Sequence, residues 1–337
     1  MRGLQRANLR TMMQKTARAR ANIALAKYWG KSDVALNLPA VPSLSLTLEP
    51  LTTTTTVTFT ADLRTDSLLI NGKITTGDAL ARASKLLARV RERAGVPLFA
   101  HVESKNEFPT ASGLASSASG FAALACAASA AAGLPFSPRE LSMLARASSA
   151  SAARSIYPGF VALPAGKEGD SSLQAEMLFD ENHWDVCMIV AVNAEGAKAI
   201  GSTSGMERSR TTSPYYNAWL AAAPSYFNEV LAGVAARDLA RVGTTMEEST
   251  FAMHACAMAS SPSVSYLQPA TLSALETVRR LRKTESLGVY ATMDAGPHVK
   301  ALCLQRDADR VERGLRETPG VLRTLRAVPG RGVEVLA

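Results

Sequence analysis

LASSASGFAALACAASAAAG, residues 114–133, limits the fold more than any other stretch of the chain. It is built almost entirely from Ala, Ser and Gly. Twenty residues would suit a membrane span, but the run lacks the Leu, Ile and Val body of one. Small side chains allow close backbone approach, so the run reads as a buried helix and not a span.

The elements around it are mixed. Residues 19–31 predict a strand running into a loop, and SLSLTLEP (43–50) and TTTTTVTFT (52–60) predict strands separated by Pro50. Residues 68–73, 99–110 and 159–164 also read as strands. Residues 76–95 predict an amphipathic helix closed by Gly95, and 138–155 a helix opened by Ser-Pro-Arg-Glu. After a polar turn at 179–184, an apolar strand opens a second domain. Helices near 213–236, 237–258 and 269–283 follow. A strand at 288–294, a helix at 307–317 and a last strand near 332–336 complete the pattern. Strands first and mixed elements later predict an α+β class and argue against a doubly wound sheet. The expected division is a disordered leader over 1–18, one domain over 19–184 and another over 185–337.

Net charge is +8, and all of it lies in residues 1–31, which hold eight Lys and Arg and no acid. The remainder carries 29 basic and 29 acidic groups. No basic stripe with interleaved aromatics occurs there, which argues against a nucleic-acid partner. The basic start has no signal-peptide core and reads as a disordered leader or the product of an upstream start codon, with a transit peptide as the alternative. Cys126, Cys187, Cys256 and Cys303 are scattered, with no metal or disulfide spacing. A reducing cytoplasm fits.

Two stretches carry chemistry. In GVYATMDAGP (288–297) an apolar, β-branched run ends in Asp294. A carboxylate there costs stability unless it has a partner. In FPTASGLASSASG (108–120), Gly113 and small residues permit close approach of an anion. Ser116, Ser117 and Ser119 supply hydroxyls at a helix start. No Walker A pattern is present. The residues alone suit a phosphate cradle and a Ser-rich buried helix equally.

PTASGLASSASG resembles the phosphate-loop motif of the GHMP kinase superfamily. NIALAKYWGKSDVALNLP (22–39) resembles the opening motif of the diphosphomevalonate decarboxylase family, and TMDAGPH (292–298) resembles its Asp-Ala-Gly-Pro-Asn motif. RASSASAARS (146–155) and GSTSGM (201–206) have counterparts in the same order. The resemblance implies a GHMP kinase fold, with a ribosomal-protein-S5-like N-terminal domain, a ferredoxin-like C-terminal domain and the site in the cleft between them. It also implies ATP and Mg2+ as cofactors, a mevalonate diphosphate substrate, and a homodimer without membrane attachment.

The same resemblance implies roles. Asp294 accepts the proton of a tertiary hydroxyl as phosphate is transferred. Lys27 keeps Asp294 ionised, and Arg154 clamps the substrate carboxylate. Tyr28, Lys31, Ser149 and Ser151 hold the diphosphate, with Ala150, Ala152 and Ala153 in the same loop. Asn22 assists the carboxylate and Thr203 reaches a phosphate. Arg82 corresponds by position to a family arginine. Gly30 and Trp29 belong to the first motif, Trp29 as a packing residue. Ser112, Gly113, Leu114, Ala115, Ser116, Ser117 and Ser119 form the ATP phosphate loop, Ser116 also serving Mg2+. Lys105 and Asn106 border the adenine.

The diphosphate loop departs from the family pattern. Ser148 and Ala150 stand where the family has glycines, and Ala147 and Ala153 replace Lys and Cys. His298 replaces the family Asn. The expected reaction is ATP-dependent decarboxylation of 5-diphosphomevalonate to isopentenyl diphosphate. The alternatives are decarboxylation of the monophosphate and a non-catalytic ligand-binding regulator.

Overall fold

The computed structural model describes residues 13–108, 116–196 and 199–337. Its first half contains β1 (Met13–Ala26), β2 (Lys31–Asp33), β3 (Leu38–Pro39), β4 (Ser43–Thr60), β5 (Ser67–Ile70), β6 (Lys73–Ile74) and α1 (Asp78–Ala94). β7 (Phe99–Asn106), α2 (Ser116–Ala131), α3 (Pro138–Ser148), a 3-10 turn (Ala150–Ile156), β8 (Phe160–Leu163) and β9 (Glu176–Phe179) follow. The second half has β10 (Val186–Val192), α4 (Ser202–Thr212), α5 (Tyr216–Ala236), α6 (Leu239–Met258), α7 (Pro269–Thr284) and β11 (Val289–Thr292). It closes with β12 (Val299–Leu304), α8 (Ala308–Arg316), β13 (Arg323–Pro329) and β14 (Glu334–Leu336).

β1 and β4 are the long antiparallel pair on which the rest is built. The two strands expected around Pro50 are one element. Its register against β1 jumps from Arg20↔Thr52 to Ala21↔Leu48, so the chain bulges at Pro50, which has no N–H to donate. The bulge splits the partners of β4: Ser43–Leu46 pair with β8, and Thr53–Thr60 pair with β7. At the bulge, Glu49 and Leu48 pair with Val328 and Pro329 of β13, joining the sheet of the second half to that of the first. Among the described residues only β5 and β7 pair in parallel. The expected leader is shortened, because residues 13–18 belong to β1, tied by Thr16–Arg18 to β14. Residues 1–12 lie outside the described residues.

The Ala-rich α2 packs on β1 and β4, with Ala122, Ala123 and Ala127 against Ala17, Ala19 and Phe59. Among the described residues no helix is long and apolar enough to cross a membrane. β10 explains its own all-apolar sequence. Val186, Met188 and Val190 join α5 and α6 on one face, and Cys187, Ile189 and Ala191 join α7 and α8 on the other. A strand covered on both faces needs no polar alternation.

The expected helix over 138–155 is broken. The Ser137 capping box opens α3 as read from Ser-Pro-Arg-Glu. At Ser149 the backbone turns extended, with φ −158 and ψ 119, and the chain restarts as the 3-10 turn. None of residues 147–153 has a positive φ, so Ser148 and Ala150 replace glycines without backbone strain. β12, β13 and α4 were not expected from the sequence.

Candidate active site

β1 ends at Ala26, and the chain turns inward at Lys27. Lys27 N donates to Ser249 Oγ of α6 at 2.9 Å. Its Nζ donates to Ala24 O at 2.8 Å and to Asp294 Oδ1 at 2.7 Å. The other oxygen, Asp294 Oδ2, lies 3.1 Å from Nζ of Lys300 on β12. Asp294 thus sits between two ammonium groups, one from each half of the chain.

The electrostatics follow. Burial pushes the Asp294 carboxyl up, but Lys27 and then Lys300 outweigh it and hold the group well below the carboxylate range. Burial foremost, then Lys300 and Arg154, brings Lys27 down to about 8 against the pull of Asp294.

Asp294, Lys27 and Arg154 line one cavity of about 900 Å³. Arg154 is buried in its wall. Its Nε donates to Ser45 Oγ at 2.9 Å and Asn22 Oδ1 at 3.3 Å, and Nη1 donates to Ser43 Oγ at 2.7 Å. Asn22 is held by donating to Ser155 Oγ and Ser151 O. The planar fork is therefore oriented by neutral oxygens and keeps its charge for an anion. Burial lowers it to about 10, so it stays charged at neutral pH.

Tyr28, Lys31, Ser149, Ala150 and Ser151 also line the cavity. Ser149 and Ser151 share a hydrogen bond of 3.1 Å, and Lys31 Nζ donates to Asn37 Oδ1 at 2.6 Å. Arg82 donates to Ser148 O at 2.6 Å, which ties α1 to this loop. Thr203, at the start of α4, and Ser116 and Ser117 of α2 complete the rim from other directions. Trp29 touches the cavity, but its indole donates to Ser209 Oγ and its carbonyl accepts from Trp219, as fits a packing residue.

Other expected residues do not reach the cavity. Gly30 is not in its lining. Its φ of +107 and the Tyr216 hydroxyl beside the missing Cβ explain the glycine. Ala152 and Ala153 turn their side chains into separate apolar cores. Ser119 is buried, with its Oγ 2.7 Å from that of Thr53. Lys105 and Asn106 sit on β7 opposite Thr54 and Thr53, and neither lines the cavity. Asn106 Oδ1 accepts from the Thr53 hydroxyl, which also meets Ser119 in the first turns of α2. Ser112, Gly113, Leu114 and Ala115 lie outside the described residues. His298 lies behind the site, its Nδ1 accepting from Asn193 N at 3.1 Å. Burial first, then Lys300, pushes it down to about 3, so the ring is neutral.

The sequence reading missed Lys300, Ser43, Ser45 and Ser249. It also missed Asp78, Lys85 and Glu207, which line the cavity. Lys300 alone gave a signal, a charge inside the apolar run VKALCL.

Known proteins share this fold. The crystal structure of mevalonate diphosphate decarboxylase from Staphylococcus aureus superposes with a TM-score of 0.90 at 37% identity, covering 98% of this chain and 99% of that one. The complex of MDDEF with MVAPP, AMPPCP and magnesium gives 0.89 at 37% identity, over 97% of this chain and 99% of that one. The chain therefore has the GHMP kinase fold, in its α+β form with helices on a largely antiparallel sheet.

Residues 19–174 match the diphosphomevalonate decarboxylase-like N-terminal domain, and 187–321 match the mevalonate 5-diphosphate decarboxylase C-terminal domain. Diphosphomevalonate decarboxylase of Ganoderma lucidum is 36% identical over 312 residues, 86% of this chain and 78% of that protein. The Homo sapiens enzyme is 36% identical over 303 residues, 84% of this chain and 75% of that protein. The chain belongs to the diphosphomevalonate decarboxylase family.

Proposed function

We infer that this chain catalyses the ATP-dependent decarboxylation of (R)-5-diphosphomevalonate to isopentenyl diphosphate, ADP, phosphate and carbon dioxide. The observation that carries the reading is the Asp294 carboxylate held between Lys27 and Lys300 on a cavity that Arg154 also lines. A tertiary 3-hydroxyl is too weak an acid to ionise in advance. As its oxygen bonds to the γ-phosphorus and the bond to ADP breaks, its proton passes to Asp294. The C–O bond to the new phosphate then breaks, and the electron pair of the carboxylate C–C bond becomes the alkene as carbon dioxide leaves.

Arg154 aligns the substrate carboxylate for that step, with Asn22 orienting its guanidinium. Tyr28, Lys31, Ser149 and Ser151 take the diphosphate, and Arg82 and Thr203 add contacts at the rim. The residues present fit ATP with Mg2+. Ser116 and Ser117 turn to the cavity beside the basic groups Arg82 and Lys85. These serines would hold the phosphates and Ser116 the Mg2+, which when bound neutralises charge on the transferring phosphoryl group.

The proposal includes a division at 184/185, supported by family matches that stop at 174 and resume at 187. A homodimer in the cytoplasm with no nucleic-acid partner completes it, on the family resemblance and the balanced charge beyond residue 31. Light scattering on the purified chain tests the dimer. For the activity, ATP and Mg2+ are supplied with mevalonate, its 5-phosphate and its 5-diphosphate in turn, and ADP and carbon dioxide are measured together. Both products are expected from the diphosphate. Carbon dioxide from the monophosphate in preference would reassign the substrate, and neither product from any of them would refute an enzyme.

A further inference from the structure

Lys300 lies between Val299 and Ala301 on β12 with its side chain fully buried. An ammonium gives up its hydration there and needs a compensating charge. Asp294 is placed to supply it, with Oδ2 at 3.1 Å, while Lys27 takes Oδ1 at 2.7 Å. We propose that Lys300 is a positioning residue for Asp294: it fixes the plane of the carboxylate and keeps it ionised while Lys27 is left to serve the reacting phosphoryl group. The proposal rests on Asp294 being the proton acceptor.

Both lysines are buried, and their place relative to the cavity separates them. Lys27 and Asp294 line the cavity, and Lys300 does not. Lys300 therefore acts through Asp294 and not on substrate. The sheet explains how it arrives. Lys300 is the cross-strand partner of Thr292, and Asp294 follows two residues later. Opposite residues of an antiparallel pair project to one face, and so does the residue two positions on where the chain stays extended.

Two contacts also do what one cannot. A carboxylate bonded through one oxygen can still turn about its last torsion, whereas contacts on both oxygens hold its plane. Substrate brings further anions beside Asp294, which favour its protonation. If Lys27 shares its charge with the phosphates, the ammonium of Lys300 still faces Asp294 from behind.

The test is Lys300→Met, which keeps much of the shape and removes the charge, assayed beside Asp294→Asn. With ATP, Mg2+ and mevalonate diphosphate, Lys300→Met is expected to lose roughly 10- to 100-fold in kcat with both KM values within about twofold. A kcat within about twofold of the unaltered enzyme overturns the proposal. Unfolding temperatures give a second readout. Lys300→Met is expected to lower the midpoint in the unaltered chain and raise it in Asp294→Asn, where the buried ammonium has lost its counter-charge. Equal shifts in both backgrounds also overturn it. If Lys300→Met does not fold, Lys300→Gln takes its place, with loss of kcat at unchanged KM expected and an unaltered kcat overturning. Full turnover in Asp294→Asn would instead remove the reading of Asp294 as proton acceptor. Loss of turnover there with unaltered kcat in the Lys300 variant would remove the Lys300 role alone.

Discussion

Lys27 Nζ and Asp294 Oδ1 stand 2.7 Å apart across 267 positions of sequence. β1 delivers the lysine and the end of β11 the aspartate, so the link spans both halves of the chain. It accounts for an otherwise costly charge beyond a buried strand. If the pair does the chemistry proposed, neutralising the aspartate should stop turnover while leaving the cavity walls intact. Asp294→Asn is expected to lower kcat by about a thousandfold, with ATP affinity by calorimetry changed less than about threefold. Retention of a tenth or more of kcat would exclude Asp294 as the base.

Lys27 gives a pH prediction with opposite signs for activity and stability. Its folded value, lowered to about 8 mainly by burial, lies below the ordinary 10.5. Between those values the unfolded chain binds the proton more readily, so this group adds stability as pH rises through the window. Turnover needs the charged form and should fall as pH passes about 8. The expected profile is a basic limb in kcat/KM near that pH with no loss of thermal midpoint assignable to Lys27. In Lys27→Arg, whose guanidinium keeps its charge, residual turnover should lack the limb. Persistence of the limb in that variant would assign it to another group.

Asp294 sets the acid side. Its carboxyl is held below the ordinary 3.8 by Lys27 and Lys300 despite burial. Its contribution to stability is complete above that ordinary value and is lost as pH falls below it. Acid unfolding should therefore begin at higher pH in Asp294→Asn, where two buried ammonium groups lack their counter-charge. An acid midpoint equal to that of the unaltered chain would contradict this.

Ser45 and Ser43 set the aim of Arg154. Ser45→Ala removes the nearer acceptor of Arg154 Nε, at 2.9 Å, and leaves it only the longer contact to Asn22 Oδ1 at 3.3 Å. The cost is about 0.5–1.5 kcal/mol, to be seen as a lower unfolding midpoint and a KM for the substrate raised several-fold. KM for ATP should not move. A raised KM for ATP with an unchanged one for the substrate would place Arg154 on the wrong ligand.

Gly30 should be intolerant for a conformational reason. Gly30→Ala forces a side chain into φ +107 and against the Tyr216 hydroxyl, costing about 1–3 kcal/mol. Adding Tyr216→Phe should recover part of the lost thermal midpoint by removing the hydroxyl from the contact. No recovery would leave the backbone angle as the whole cause.

The local pattern of the chain was enough to foresee the Ala-rich helix as buried, the α+β class and most elements by type. The resemblance of its motifs to those of the family also singled out Lys27, Arg154 and Asp294, the groups to which the proposal gives the chemistry. Pro50 marks a strand boundary by sequence and is a bulge within one strand. The sequence predicts one helix over 138–155, and the chain breaks it at Ser149. Both depend on partners elsewhere in the sheet and on neighbouring turns. The remaining differences concern direction. Ser119, Ala152 and Ala153 lie in or beside motifs that border the cavity, yet their side chains face inward. Lys105 and Asn106 lie on β7, outside the lining of the cavity. Lys300 could be seen only as a charge in an apolar run. Side-chain type and spacing are written along the chain, but which face looks onto which neighbour is set by strand register and helix packing over hundreds of residues. That is why sequence motifs alone point to the proposed reacting groups, and only the tertiary structure shows what holds them in place.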